Sequence, residues 1–348
     1  MNPHTMITMT FFLIMGTLIT ISSSHWLLIW VGLEMNTFAI IPFMTKKCNP
    51  RATEAATKYF IIQSVATTTL LFASISNAWI SGQWDIQQMN HPLLLTMISM
   101  ALAMKLGLAP MHAWFPEILQ GLNLTTGLIL STWQKLAPLS LMLQLPNNNS
   151  PLIITLGLLS ILTGGWGGLN QTQLRKILGY SSIAHLGWMM LVIQYLPALT
   201  FMAFITYTML TFSMFLSFQH TQTTSINALS TSWTKAPILL TLALLTLLSL
   251  GGLPPLTGFF PKWMILLELT KQKLTLMATM AALSSLLSLY FYLRLSYAMI
   301  LTTPPSNLPT ILPWRINFSQ PMTLLAMSFI MSLFFLPLSP TLLTILSY

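Results

Sequence analysis

The stretch that most constrains the fold is Gly107-Leu-Ala-Pro-Met-His-Ala-Trp-Phe-Pro-Glu117, which interrupts a long apolar run of the sequence. A second stretch, Gly252-Leu-Pro-Pro-Leu-Thr-Gly-Phe-Phe-Pro-Lys262, interrupts another apolar run 145 residues later. Both read Gly-Leu-x-Pro, then four residues, then Phe-Pro and a charged residue. Glycine and proline remove backbone hydrogen bonds that lipid cannot replace, so each break is expected to line a buried or wet cavity.

The composition predicts a polytopic integral membrane protein. Only 5% of the 348 residues are charged, against about 25% in a typical soluble domain, and 54% are hydrophobic. These values exclude a water-soluble enzyme and a disordered chain. The single cysteine excludes a disulfide framework and an iron–sulfur cluster, which needs about four thiolates. The net charge of +9 is spread over short connections, which is typical of membrane-surface charge rather than of a nucleic-acid patch.

The apolar runs predict the fold class. A bilayer-spanning helix needs about 20 mostly apolar residues. The sequence contains eleven such runs, near 5–23, 25–44, 59–80, 92–108 (continuing brokenly to about 122), 125–145, 150–168, 174–194, 197–218, 237–269 (interrupted), 274–301 and 321–346. We therefore predict an all-α polytopic membrane protein with about eleven transmembrane helices, of which helices 4 and 9 are broken. The connections are too short to hold a soluble catalytic domain.

The two breaks also predict an internal repeat, because the first and sixth runs begin with the same 145-residue offset. We predict one transmembrane domain, 1–348, made of a first five-helix repeat over 1–145, a second over 150–301, and an extra C-terminal helix over 321–346. Since five is odd, the second repeat is expected to be inverted relative to the first. Inverted repeats with paired broken helices indicate an ion or substrate site near the bilayer midplane.

Four charged residues lie inside apolar runs, where each costs about 2.5–3.5 kcal/mol on insertion scales. They are Glu34, Lys105, Lys135 and Lys262. At 1.5 Å per residue the first three lie about 14–18 Å into their runs, near the midplane of a hydrocarbon core about 30 Å thick. One carboxylate cannot neutralise three lysines, and lysine, unlike arginine, can release its proton when buried. We interpret the lysines as proton carriers and expect Glu34 to face Lys105 across the second and fourth spans.

Two histidines are weaker candidates. His112 lies in the first broken stretch and His185 in the seventh run, and a relay role is as plausible for each as an ordinary hydrogen-bonded core position. Lys135 is expected to pass a proton toward Lys262 through water and His185. Four other acidic residues fall near the ends of runs and are expected at the solvated surface: Glu54, Asp85, Glu117 and Glu268.

The distribution of basic residues predicts the orientation. With eleven spans, eight basic residues share the side of the N-terminus and two lie on the other side. The eight are Lys46, Lys47, Arg51, Lys58, Arg175, Lys176, Lys235 and Arg315, and the two are Lys271 and Lys273. The positive-inside rule then places the N-terminus on the cytoplasm-equivalent face and the C-terminus on the opposite one.

At these residues the sequence resembles the antiporter-like membrane subunits of NADH:ubiquinone oxidoreductase, respiratory complex I, in the form encoded by vertebrate mitochondrial DNA. The matching stretches are Trp30-Val-Gly-Leu-Glu-Met-Asn36, Ala103-Met-Lys-Leu-Gly-Leu-Ala-Pro110 with His112, Leu169-Asn-Gln-Thr-Gln-Leu-Arg-Lys-Ile-Leu178 with Tyr180-Ser-Ser182, and Leu250-Gly-Gly-Leu-Pro-Pro-Leu-Thr-Gly258 with Pro261-Lys262-Trp263. The resemblance covers the whole chain. It implies a place in the inner mitochondrial membrane, with the N-terminus in the matrix and the C-terminus in the intermembrane space.

The resemblance also implies roles and partners. Glu34 matches the key helix glutamate of the family, Lys105 the lysine of the first broken helix, Lys135 the bridging lysine one helix later, and Lys262 the lysine of the second broken helix. The implied activity is proton translocation as a subunit of the H+-translocating reductase, beside the other antiporter-like subunits and the lipid bilayer. NADH, FMN, iron–sulfur clusters and ubiquinone would act in partner subunits, none would be bound by this chain, and no nucleic-acid partner is implied.

Two alternatives remain open from the sequence. A free-standing cation/proton antiporter would have the same repeat and the same buried lysines. A scaffold that has kept buried charges without conducting protons is the other alternative.

Overall fold

The computed structural model describes residues 3–46, 49–89, 91–146, 150–234, 236–301 and 323–347. Over these ranges the chain forms α-helices, short 3-10 turns and isolated β-bridges, and it contains no strand. The α-helices in these ranges are α1 (Pro3–Ser22), α2 (Trp26–Met44), α3 (Pro50–Ser81), α4 (Pro92–Leu106), α5 (Trp114–Gly121), α6 (Leu124–Ser131), α7 (Trp133–Gln144), α8 (Ser150–Gly168), α9 (Leu174–Val192), α10 (Pro197–Thr221), α11 (Ile226–Thr231), α12 (Pro237–Gly251), α13 (Phe259–Lys271), α14 (Thr275–Ile300), α15 (Thr323–Phe334) and α16 (Ser339–Ser347).

The helices show that this is a multi-pass membrane protein. Six of those described (α1, α2, α3, α8, α10 and α14) are individually long and apolar enough to cross a bilayer. The bent pair α15–α16 would make a seventh span. Two shorter apolar helices, α4 and α12, each end at a break and are followed by a second helix. The predicted all-helical membrane fold is confirmed, whereas the count of eleven crossings remains a prediction.

The predicted breaks agree with the structure, and two further breaks were not predicted. The fourth run divides into α4 and α5, and the ninth into α12 and α13, at the Gly-Leu-x-Pro stretches. The fifth run also divides, into α6 and α7 at Thr132, and the last divides at Phe335. The six-residue α11 was not predicted either, because it is far shorter than a window chosen to find spans.

The chain divides into two compact units, and the first is Met1–Ser160. In this unit α1 packs most closely on α2, since both helices carry glycine where they meet. A Cβ at Gly16 would lie 2.9 Å from the carbonyl oxygen of Gly32, and a Cβ at Gly32 would lie 2.9 Å from that of Gly16. Small residues allow this approach inside a membrane, where packing replaces the hydrophobic effect.

The second unit is Ile161–Tyr348, and α10 is its central helix, in contact with α9, α12, α13, α15 and α16. In this unit α8 approaches α9 in the way that α1 approaches α2. A Cβ at Gly164 would lie 2.9 Å from the carbonyl oxygen of Tyr180. Gly164 follows Gly16 by 148 residues, and Tyr180 follows Gly32 by the same number, so the two close contacts join corresponding positions.

Each unit also contains the same pair of backbone hydrogen bonds between two connections. In the first unit Trp26 N donates to Trp84 O at 3.2 Å, and Ile86 N donates to Ser24 O at 3.1 Å. These bonds join the segment before α2 to the segment after α3. They form the isolated bridge between His25 and Asp85.

In the second unit Leu174 N donates to Thr224 O at 3.1 Å, and Ile226 N donates to Thr172 O at 3.1 Å. They join the segment before α9 to the segment after α10. This pair of bonds therefore occurs once in each unit.

Candidate functional site

Both breaks begin with the same helix-ending motif. At the first, Leu108 N donates to Ala103 O at 2.9 Å and Gly107 N donates to Met104 O at 3.2 Å. This is a Schellman motif, which needs a residue in the left-handed region, and Gly107 has φ +78°. The motif stops α4 at a defined residue, and α5 begins only at Trp114.

The second break repeats this geometry 145 residues later. Leu253 N donates to Leu248 O at 3.4 Å, Gly252 N donates to Ser249 O at 2.9 Å, and Gly252 has φ +86°. Downstream, Gly258 passes so close to the Ser249 carbonyl oxygen that a Cβ would collide with it. The sequence that the two stretches share therefore corresponds to the same backbone conformation, which occurs once in each unit.

Lys105 lies in the last turn of α4, immediately before the first break, and its side chain is 6% exposed. The C-terminal end of a helix carries partial negative charge, which favours a cation there. Lys105 lines a small cavity together with Lys135, Tyr59 and Gln63. The cavity leaves about 20 Å³ open to the centre of a water molecule, which is room for about one.

Lys135 reaches the same cavity from the first turn of α7, and it is 3% exposed. Its ammonium lies 4.6 Å from the ring centroid of Phe115, a cation–π contact with the helix that follows the first break. The neighbouring residue Gln134 donates from Nε2 to Asn36 O at 3.3 Å, which ties α7 to α2. The first unit thus brings two predicted site lysines together around one cavity.

Two further residues of this cavity have polar side-chain atoms with no hydrogen-bond partner in the described part of the chain. They are Asn36, through both Nδ2 and Oδ1, and Trp114, through Nε1. A buried polar atom without a partner costs about 1–3 kcal/mol. The Asn36 side chain points toward α1, since a Cβ at Gly16 would lie 2.5 Å from its Oδ1.

Glu34 is half-buried on α2, beside this cavity. Thr37 Oγ1 lies 3.1 Å from its Oε2 and 2.8 Å from its backbone oxygen, and its single proton can be donated to either. Thr37 lines the cavity that contains Lys105, but the carboxylate and Lys105 do not form a direct ion pair. The direct ion pairs found among the described residues are Lys58–Glu54, Lys58–Glu117 and Lys271–Glu268.

In the second unit the buried lysine follows the break instead of preceding it. Lys262 lies in the first turn of α13, is 9% exposed, and turns back toward the end of α12. Its Nζ donates to Gly251 O at 2.9 Å and to Leu250 O at 3.4 Å, two carbonyls at the helix end. A Cβ at Gly252 would lie only 3.0 Å from this Nζ, so the glycine leaves the space that the ammonium uses.

Of the two candidate histidines, one lies at a lysine site. His185 lines a second cavity of about 20 Å³ with Lys262, and its ring is 5.5 Å from that of Tyr207. His112 lies half-buried within the first break and lines neither this cavity nor the one around Lys105. The structure therefore groups His185 with Lys262 and leaves His112 apart.

Each unit has a buried lysine at its break, but at a different sequence position. Lys105 is at the end of α4 by its own position, while Lys262 arrives at the end of α12 by reaching backward. At the 145-residue offset, Lys105 corresponds to Leu250, and Lys262 corresponds to Glu117. Sequence comparison of the two stretches could not reveal the approach of Lys262 to the end of α12, because it depends on the direction of a side chain.

One acidic residue contradicts its prediction. Glu268 was expected at the solvated surface, yet its side chain is only 9% exposed. Its helix, α13, packs against α9, α10 and α14. Glu54 and Glu117 are exposed as predicted, and both lie within reach of Lys58, at 2.9 and 3.2 Å.

The chain matches two family models. Residues 23–288 match the family described as NADH:quinone oxidoreductase/Mrp antiporter, TM, and residues 289–343 match NADH dehydrogenase subunit 2 C-terminus. A protein of Tetraodon nigroviridis named NADH-ubiquinone oxidoreductase chain 2 is 60% identical over 99% of both chains. A protein of Salmo salar with the same name is 58% identical over the full length of both.

Two solved assemblies contain chains of similar fold. A chain of respiratory complex I from Thermus thermophilus matches with a TM-score of 0.85 and 26% identity, over 99% of this chain and 80% of that one. A chain of the Mrp complex from Dietzia sp. matches with a TM-score of 0.78 and 14% identity, over 97% and 74%, which shows the fold alone. The fold and the buried lysines thus define an antiporter-like membrane protein. Within that class, the chain belongs to the NADH-ubiquinone oxidoreductase chain 2 family.

Proposed function

We propose that this chain is a core membrane subunit of the proton-pumping NADH:ubiquinone oxidoreductase of the inner mitochondrial membrane. Its buried lysines and Glu34 move protons, and electron transfer from NADH to ubiquinone in partner subunits drives the movement. The observation that carries this proposal is the meeting of Lys105 and Lys135 at one water-sized cavity beside an interrupted helix. Two buried ammonium groups at one cavity are costly, and membrane proteins keep such groups where they handle ions or protons.

The chemistry follows from the surroundings of each lysine. An ammonium close to a carboxylate keeps its proton, whereas the same group in an apolar cavity tends to release it. Thr37, whose hydroxyl lies 3.1 Å from the Glu34 carboxylate, lines the Lys105 cavity, so a small approach or withdrawal of the carboxylate would load or unload the lysine. In the second unit, His185 shares the cavity of Lys262 and would exchange protons with it through water.

The membrane arrangement that we propose has eleven crossings. The five-helix repeats over 1–145 and 150–301 are inverted relative to each other, and a further helix lies over 321–346. The recurrence of the paired backbone bonds, the glycine contacts and the Schellman breaks in both units supports the repeat. The odd number of crossings in each repeat supports the inversion.

The redox chemistry is assigned to partners. Within the described residues, no group of three or more histidine, cysteine, aspartate and glutamate side chains could hold a metal ion. We propose that FMN, iron–sulfur clusters, NADH and ubiquinone act in other subunits, and that neighbouring antiporter-like subunits flank this chain in the bilayer. The enzyme activity therefore belongs to the assembly, of which this chain is a proton-translocating part.

Mild-detergent extraction followed by native electrophoresis tests the proposal against a free-standing antiporter. The 38.9 kDa chain is expected to migrate with NADH-oxidising activity in an assembly many times its own mass. Migration of the chain alone, separate from that activity, would support the antiporter alternative instead. A labelled soluble matrix protein run in parallel controls for incidental trapping.

The orientation gives a separate prediction. The connection between α2 and α3 is expected in the matrix, because it belongs to the side with eight of ten loop charges. Its residues Lys47 and Cys48, like Lys235 and Arg315, lie outside the described residues. Cys48 is the chain's single cysteine. A membrane-impermeant thiol reagent should label it only after the inner membrane is opened, and labelling in intact mitoplasts would contradict this orientation.

A further inference from the structure

Glu268 is a buried carboxylate that the proposed lysine mechanism does not use. It lies in the last turn of α13 with 9% of its side chain exposed. Gln272 donates from Nε2 to its Oε1 at 3.1 Å. Lys271 Nζ lies 3.6 Å from its Oε2, but the lysine side chain itself is 72% exposed.

The position is unfavourable for a carboxylate that has only a structural role. The C-terminal end of a helix carries partial negative charge, which repels an anion. Burial adds a desolvation cost that one exposed ammonium and one amide donor repay poorly. In the described part of the chain, the side-chain partners of Glu268 come from its own helix end.

Glu268 also lies on the same face of α13 as the second lysine site. The buried positions of this helix are Pro261, Lys262, Ile265, Glu268 and Leu269, which follow the three- and four-residue spacing of one helix face. Lys262 and Ile265 line the cavity that contains His185. From Lys262 to Glu268 the helix rises about 9 Å. The face therefore runs from the lysine cavity to the end of α13, where Lys271 and Gln272 are exposed.

From this geometry we infer that Glu268 is a proton relay between Lys262 and the aqueous phase at the C-terminal end of α13. The inference rests on the proposed function, in which Lys262 carries a proton. The ammonium of Lys262 gives its proton through water to the Glu268 carboxylate, which becomes a neutral acid. The acid then gives the proton to bulk water and returns to the carboxylate. In the proposed orientation this end of α13 faces the intermembrane space, so the relay serves proton release.

The test uses the complete complex, purified from cells homoplasmic for each variant and reconstituted in vesicles. Protons translocated per NADH oxidised are measured, with the amount of assembled complex determined separately. Glu268→Gln keeps the shape and the acceptor oxygen but cannot take up a proton, so most of the translocation should be lost. Glu268→Asp keeps the titratable group and should recover much of it.

Two control variants separate a relay from an ion pair. Lys271→Gln removes the ion-pair partner of Glu268 but keeps the carboxylate. Glu54→Gln removes an exposed carboxylate of α3, which pairs with Lys58 of the same helix. Both are expected to pump nearly normally. Near-normal pumping by Glu268→Gln would overturn the relay, as would an equal loss in Lys271→Gln. If Glu268→Gln does not assemble, the relay requires that Glu268→Asp assembles and pumps. If neither variant assembles, Glu268 is a residue needed for folding, and the relay is overturned.

Lys262→Met, measured in parallel, distinguishes failure of the carrier role of Lys262 from failure of the relay role of Glu268. If this variant pumps normally, the proposed carrier role of Lys262 fails and the relay fails with it. If Lys262→Met stops pumping while Glu268→Gln does not, only the relay is overturned.

Discussion

Replacing Lys105 by arginine is expected to damage proton pumping nearly as much as replacing it by methionine. Arginine keeps the positive charge but does not give up its proton in proteins. If Lys105 is a carrier, both variants lose the same step. Removal of one positioned proton-transfer group costs about 10²–10⁴-fold when that transfer limits the rate, so we expect at least about a tenfold loss of translocation in each.

The surroundings of Lys105 sharpen this expectation. The side chain is 6% exposed, and the cavity at its end has room for about one water. A guanidinium is larger than an ammonium and would displace that water, so the arginine variant also removes the medium through which the proton leaves. The measurement is protons moved per electron pair in the intact complex, and assembly is checked by native electrophoresis. Lys58→Arg is the matched control, because Lys58 is an exposed lysine whose two ion pairs an arginine can keep.

Each outcome selects one interpretation. Normal stoichiometry in Lys105→Arg with loss in Lys105→Met would mean that Lys105 acts as a fixed charge, and the carrier mechanism would fail. Normal stoichiometry in both would favour the scaffold alternative. Loss in both, with Lys58→Arg unaffected, is the result that a proton carrier requires.

The helix breaks could be predicted from the sequence because their causes are local. A glycine that must adopt φ +78° or +86°, followed by proline, stops a helix whatever surrounds it. The division between α6 and α7 at Thr132 has no such signal, since Thr132 is an ordinary residue with φ −113° and ψ −68°. It was missed because neither glycine nor proline stands at the division.

The sequence predicted which lysines belong to the candidate site, but not how they are arranged in space. Buried lysines are visible in a sequence because a charge stands out in an apolar run. The grouping of Lys105 with Lys135, and the backward reach of Lys262 to Gly251, depend on helix packing that no local pattern encodes. Glu268 was misassigned for the same reason: its position near a helix end suggested solvent, and its burial depends on packing that no local pattern encodes.

The backward reach of Lys262 yields the second large prediction, which concerns Gly252→Ala. This change should reduce pumping strongly because it acts on the lysine as well as on the backbone. At φ +86°, an L-residue costs about 1–2 kcal/mol. The new Cβ would also lie 3.0 Å from Lys262 Nζ and 3.1 Å from its Cδ. The lysine must therefore shift, which weakens its bonds to Gly251 O and Leu250 O.

Gly82→Ala is the matched control, and it separates the two causes. Gly82 ends α3 at φ +73°, so alanine there carries a similar backbone cost, but no atom lies within 4 Å of the added Cβ. Both variants should lower the thermal stability of the assembled complex to a similar extent, and only Gly252→Ala should lower protons moved per NADH. If Gly82→Ala lowers pumping equally, backbone strain is sufficient and the lysine is not implicated. If Gly252→Ala pumps normally, the contact of Lys262 with the end of α12 is dispensable for pumping.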